Sequence, residues 1–173
     1  MTNALDELLA SARSHVADPR VGLPEAVFHF ASELTPMVNV DLLIKNKQGQ
    51  TLLTWRADAF HGPAWHIPGG IVRFKETTAE RIRKVAQAEL GCEVRFSSQP
   101  VHVFELMHPT RSVRGHFISL LYPCELVSEP AADRKFMSGK PAPGDWAWHA
   151  GTPPDFLKAQ APLRQYIDDT AVL

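Results

Sequence analysis

The run Trp65-His-Ile-Pro-Gly-Gly-Ile-Val-Arg-Phe-Lys-Glu76, continuing to Glu89-Leu-Gly-Cys92, restricts the fold more than any other part of the chain. Ile67-Pro68-Gly69-Gly70 reads as a segment that cannot be regular, and its two glycines let backbone approach a phosphate or a metal closely. Thr77–Leu90 follows as a helix with Gly91 as its C-cap. Ile82, Val85, Ala86 and Leu90 recur at three- and four-residue steps and form an apolar stripe. Glu89 falls on that same face, four residues after Val85 and seven after Ile82. A carboxylate on a buried stripe is costly unless it is paired or holds a metal. Spacing alone leaves two readings open: a metal-binding carboxylate, or an end-of-helix Glu that reaches solvent or an arginine. Glu76 stands at the start of the helix, where a carboxylate complements the dipole and ties down the loop.

The rest of the chain bounds the partners. At 173 residues it predicts a single domain with a sizeable core. Eighteen basic against nineteen acidic side chains leave a formal charge of -1, which argues against a nucleic-acid or membrane-surface partner. A local basic site for a small anion remains compatible with it. Cys92 and Cys124 are too few for a disulfide framework, and no stretch is long and apolar enough to span a bilayer. The opening MTNALDELLASARSH is amphipathic and does not read as a secretory signal. Together these features predict a cytoplasmic protein.

Apolar spacing predicts helices over 4–17 and Glu25–Leu34. Val38, Val40, Leu42 and Ile44 alternate with Asn39, Asp41, Leu43 and Lys45, and Thr51–Trp55 continues after the Gln48-Gly49 turn, so 37–56 is expected to be a hairpin. A loop over 57–66 leads to the glycines. Further strands are expected at Val101–Met107, His116–Glu125 and Asp145–His149, and helices at Pro154–Ala159 and Leu163–Thr170. This order predicts an α+β fold, a mixed β-sheet sandwiched between helices. Residues 1–34 read as a helical extension and 35–173 as the main domain. Amphipathic terminal helices commonly dock on a neighbouring subunit, so a homodimer is expected.

Gly70, Glu76 six residues later, and then Lys84-Val-Ala-Gln-Ala-Glu89-Leu-Gly91-Cys92 resemble the Nudix box, which is a glycine, a glutamate six later, then Arg-Glu-apolar-x-Glu-Glu-x-Gly-apolar. Three positions depart from it: the Arg is Lys84, the first Glu is Val85 and the penultimate Glu is Ala88. This reduced box is similar to that of the GDP-mannose mannosyl hydrolases, as are the segment from Thr35 through Asp41 to Arg56 and the Trp-x-x-Pro-Gly-Gly lead-in. The resemblance implies a Nudix fold and hydrolysis of a nucleoside diphosphate sugar with Mg²⁺ or Mn²⁺. It implies that the Gly69 carbonyl and Glu89 hold one metal, that Arg56 and Lys84 contact the diphosphate, and that Asp41 contacts the base. The Gln-His pair which that subfamily carries before its Asp-aromatic-x-Trp strand has no counterpart in Lys140-Pro-Ala-Pro-Gly144, ahead of Asp145-Trp-Ala-Trp148. His108, His116, Asp133 and Asp145 are the candidates to replace it as general base; His108, ending a strand at the expected rim, is preferred. A non-catalytic nucleotide or nucleotide-sugar binding protein on the same scaffold is the competing reading.

Overall fold

In a computed structural model, which describes residues 3–171, two sheets are layered between helices. The outermost residues of the two expected segments, 1–2 and 172–173, lie outside the described residues. Two helices come first, α1 (Ala4–Ser14) and α2 (Glu25–Leu34). The strands are β1 (Met37–Ile44), β2 (Thr51–Arg56), β3 (Ala64–His66), β4 (Gly69–Ile71), β5 (Val94–Phe96), β6 (His102–Met107), β7 (His116–Leu126) and β8 (Trp146–His149). Between β4 and β5 lies α3 (Thr78–Val85), and the chain closes with a 3₁₀ turn (Lys158–Leu163) and the short α4 (Arg164–Asp168). No helix among the described residues is long and apolar enough to cross a membrane.

The first sheet is mixed. β1 runs parallel to β7 and antiparallel to β4, while β5 and β6 pair antiparallel with successive halves of β7. The second sheet is antiparallel, in the order β3-β2-β8. The expected hairpin is therefore a correction. β1 and β2 meet only at the Lys45–Thr51 bridge and then enter different sheets. The physical reason lies in burial: Leu42 and Leu43 are both fully buried, as are Leu52 and Leu53. Leu42 and Leu52 join Ile82, Val85 and Leu90 of the α3 segment in one core, whereas Leu43 and Leu53 join Leu163 and Ile167 in another. Strands covered on both faces lack the solvent face that gives a free hairpin its alternation.

Three further differences are local. Gly69 and Gly70 are not irregular but form β4, an edge strand on β1. β5, only three residues long, carries too little periodicity to read from sequence. The expected helix at Pro154–Ala159 is a turn with an isolated Trp65–Phe156 bridge up to Leu157, after which the 3₁₀ turn containing Pro162 begins, and Leu163–Thr170 reduces to the single α turn of α4. Two prolines near one another favour turns over a continuous helix.

The helix from 77 to 90 forms, but in two parts. Thr77 caps α3, accepting from the Glu80 N–H at 3.2 Å while Glu80 takes the Thr77 N–H at 2.8 Å. After Val85 the helix widens to a π turn over Ala86–Leu90 and stops at Gly91, whose φ of 66° suits a glycine. Arg134 closes the end by donating to the Ala88 and Glu89 carbonyls, each at 3.1 Å.

Candidate active site

A deep cleft lies where β1, β2, β4 and the π turn meet, roofed by the loops after β2 and β6. Its lining includes Asp41, Arg56, Gly69, Glu89 and His108. Five of the six residues singled out from sequence are thus brought together. Lys84 is not among them.

Lys84 points away from the cleft because Glu76 takes it. The Glu76 carboxylate is almost completely buried and accepts from the Arg73 N–H at 2.9 Å, from Arg81 Nε at 2.8 Å and from Lys84 Nζ at 2.7 Å. Its pKa falls to about 2: those donors, Lys84 first, outweigh a burial that by itself would raise it. Glu76 therefore staples the glycine loop to α3. Arg81, one helical turn before Lys84, is the helix cation that reaches the cleft wall.

Gly69 is positioned by strand register. Leu42 N–H bonds to the Pro68 carbonyl at 2.9 Å and Val72 N–H to the Val38 carbonyl at 3.0 Å. Gly69, opposite Asp41, thus falls at a non-bonded position with its N–H and C=O turned away from β1. The N–H goes to Glu89 Oε1 at 3.3 Å. A Cβ at Gly69 would collide with Asp41 Oδ1 and stand 2.8 Å from the Val40 carbonyl, so only glycine lets the two strands close here.

Glu89 is the decisive side chain. The π turn carries Oε2 to 3.0 Å from Thr54 Oγ1, and burial pushes its pKa up to about 7 against those two hydrogen bonds and the pull of Arg56. Thr54 Oγ1 also meets His66 Nε2 at 3.2 Å, and His66 Nδ1 faces the Ile67 carbonyl at 2.8 Å. A carbonyl only accepts, so Nδ1 carries the proton and Nε2 is the acceptor. Burial holds His66 neutral, its pKa lowered to about 4. Thr54 has one proton for two acceptors. Both bonds form when Glu89 is protonated and donates to Thr54; ionised Glu89 leaves one of them unmade.

Asp41, expected to contact the base, is almost fully buried at the cleft floor. Gln160 Nε2 donates to it at 2.9 Å and the Ser119 hydroxyl also donates to it. Desolvation outweighs these bonds and pushes its pKa up to about 6. Glu89 and Asp41 thus flank Gly69 as two oxygen-donor groups whose ionised forms are disfavoured by burial and, at Glu89, by the charge of the other. A divalent cation relieves that cost, and an all-oxygen pair of Glu89 and the Gly69 backbone carbonyl suits Mg²⁺ or Mn²⁺. Among the described residues no group of three or more His, Cys, Asp or Glu gathers at one point, so the set is sparse.

Six arginines line the cleft: Arg56, Arg73, Arg81, Arg111, Arg114 and Arg134. Arg56 pairs with Asp58 through Nε at 2.9 Å. His108 is exposed at the rim, its N–H bonded to the Gly115 carbonyl at 2.7 Å. His116 instead pairs with Glu105 at 3.1 Å, and Asp145 caps the Ala142 N–H at 2.8 Å. The Pro-rich loop does reach the cleft, but only through Pro143 and Gly144. Trp65 belongs to the core, its ring 5.2 Å from Trp55. Thr54, His66, Gln160 and most of the arginines escaped sequence reasoning, since they converge from distant segments; only the position of His66 inside the glycine lead-in offered a signal.

A family model for the NUDIX domain matches residues 35–155. The chain belongs to the Nudix family. It is 31% identical over 107 residues, 62% of this chain and 67% of the relative, to the low-salt glycan biosynthesis protein Agl8 of Haloferax volcanii. Its fold is similar to that of a MutT NUDIX hydrolase from Burkholderia pseudomallei, with a TM-score of 0.59 at 20% identity over 77% of this chain and 98% of that one. It is also similar to a UDP-X diphosphatase, with a TM-score of 0.56 at 17% identity over 95% and 75% of the two chains. The expected α+β Nudix fold is therefore observed, and the cleft lies in a Nudix hydrolase domain.

Proposed function

We propose that this Nudix protein hydrolyses a nucleoside diphosphate sugar, of the GDP-mannose kind, with Mg²⁺ or Mn²⁺ bound at Glu89. The observation that carries the reading is one desolvated carboxylate, held on the Gly69 N–H, within a cleft lined by six arginines. Carboxylate and guanidinium together suit a metal-bound diphosphate. The curated relative's name, a glycan biosynthesis protein, is consistent with a sugar nucleotide.

In this reading Glu89 and the Gly69 carbonyl hold the metal, which when bound supplies positive charge to offset the departing diphosphate. Arg56 contacts the diphosphate with its fork, and Arg81 takes the helix position first given to Lys84. Asp41 accepts hydrogen bonds from the base edge. His108 accepts a proton from the attacking water at its exposed imidazole. One helix glutamate, in place of several, favours attack at the anomeric carbon over attack at phosphorus. Residues 35–173 form the hydrolase domain, and 1–34 form a helical extension. α1 buries none of its residues and leaves Leu5, Leu8 and Leu9 exposed, in keeping with a homodimer through that helix.

The sparse ligand set favours a second reading, a non-catalytic nucleotide-sugar binding protein. A nucleotide-sugar panel assayed with and without Mg²⁺ separates the two. Metal-dependent release of free sugar or phosphate supports the hydrolase. Binding without release supports the binder. Neither result in any member of the panel refutes both.

A further inference from the structure

Beyond Arg56 the cleft ends in a wall that diphosphate chemistry leaves unexplained. Arg111 and Arg114 come from the loop between β6 and β7, Phe60 and His61 from the loop before β3, and Phe28 and Ser32 from α2. Arg114 adopts a φ of 51°, a left-handed conformation that is strained for a non-glycine residue. Its N–H is held by the buried Ser32 hydroxyl at 3.0 Å. The guanidinium lies 4.8 Å from the Phe60 ring centroid and 5.6 Å from that of Phe28. Its Nε is buried without a hydrogen-bond partner among the described residues. Arg111 donates to the Phe60 carbonyl and sets Nη1 3.3 Å from His61 Nδ1.

Counter-charge is short at this wall. His61 is neutral, its pKa lowered to about 4 by burial and by Arg56, Arg111 and Arg114. Asp58 is already taken by Arg56 and by the Phe60 and His61 N–H groups, each at 2.8 Å. Glu25, in the first turn of α2, is largely exposed and stands 3.9 Å from His29. Arg56, paired with Asp58, lines the same cleft as Glu89 and Arg114. Partly buried guanidiniums without an anion forfeit the charge-assisted bonds that repay their desolvation.

We propose that Arg111 and Arg114 form a subsite for a second anionic group, a carboxylate or a phosphate, carried by the substrate beyond the diphosphate that sits between Glu89 and Arg56. The inference rests on the nucleoside diphosphate reading above. It makes the linked moiety anionic where a plain hexose is neutral. It also gives α2 a role, since Phe28 and Ser32 hold Arg114 in place.

Calorimetric titration of the full chain in EDTA, where nothing turns over, tests it with two ligand pairs. GDP-mannuronate against GDP-mannose isolates a carboxylate source, and GTP against GDP a phosphate source. The anionic member of at least one pair is expected to bind about tenfold tighter, about 1.4 kcal/mol. That ratio is expected to fall to within about twofold in Arg111→Gln and in Arg114→Met, whose stem still fills the space between the two rings. Equal affinity within both pairs overturns the subsite and leaves the nucleoside diphosphate reading standing. No binding by any of the four, in EDTA and again with Ca²⁺ present, overturns both. A preference that survives in either variant, with its melting temperature unchanged, places the anion elsewhere and overturns the subsite. If one variant fails to fold, the wild-type ratios and the other variant decide the matter.

Discussion

Replacing Glu89 by Gln should make the protein more stable and remove its response to metal. In the folded state the Glu89 carboxyl has its pKa raised from 4.5 to about 7, principally by burial. A carboxyl whose folded pKa is raised contributes stability that is complete below its unfolded pKa and is lost as the pH rises through about 7. At about 1.4 kcal/mol per pH unit, that rise amounts to about 3 kcal/mol lost at alkaline pH. Gln is neutral throughout and escapes this loss. It also keeps the local bonds: its carbonyl accepts from the Gly69 N–H, and its amide donates to Thr54 Oγ1, freeing the Thr54 proton for His66 Nε2. Chemical denaturation in EDTA at about pH 8.5 should therefore find Glu89→Gln about 3 kcal/mol more stable than the parent. At roughly 2–4 °C per kcal/mol for a chain of this size, the melting temperature should rise by about 6–12 °C. Near pH 5 the difference should shrink to about 1 kcal/mol, because the parent is then mostly protonated. Adding Mg²⁺ at about pH 8.5 should stabilise the parent by mass action and leave the variant unmoved. A variant less stable than the parent at about pH 8.5 refutes the desolvation argument, and one that keeps the Mg²⁺ response refutes the metal assignment.

Other substitutions probe the remaining walls of the cleft. Asp41→Ala leaves the Gln160 amide at 2.9 Å and the Ser119 hydroxyl without their acceptor in a buried site, and should cost about 1–3 kcal/mol in urea denaturation; an unchanged midpoint counts against a structural role for the cleft floor. Arg56→Ala should weaken GDP-mannose binding by about 1.5–3 kcal/mol in calorimetry, the scale of a hydrogen bond to a charged partner, and unchanged affinity would put the diphosphate elsewhere. Lys84→Met removes only a half-exposed pair with Glu76, so nucleotide affinity should stay within about twofold and stability within about 1 kcal/mol; a larger loss of affinity returns Lys84 to the substrate.

What the sequence determined by itself is local. The helix over 77–90, its Thr77 start and its Gly91 stop follow from side-chain caps and a three- to four-residue stripe, interactions that close within one or two turns. The α2 span and the strands at β6, β7 and β8 follow likewise from periodicity over a few residues. The glycine-to-glutamate spacing identifies the family for the same reason: it is a contiguous device for bringing backbone and carboxylate together.

Tertiary structure decided which strands pair and which charges meet. β1 joins β7 from some eighty residues away rather than the adjacent β2, because each strand has two apolar faces to cover and a two-stranded hairpin covers only one. Lys84 matched a phosphate-binding position in the linear pattern, yet the buried Glu76 lies nearer, and Lys84 joins Arg81 and the Arg73 N–H in offsetting its desolvation. Glu89 was legible as a carboxylate on an apolar face. Its contact with Thr54 depends on a π turn that no residue count reveals. The arginines at 56, 111 and 114 are scattered in sequence and converge only when two loops fold over α2. Electrostatic energy depends on distance through space, and distance along the chain does not set it.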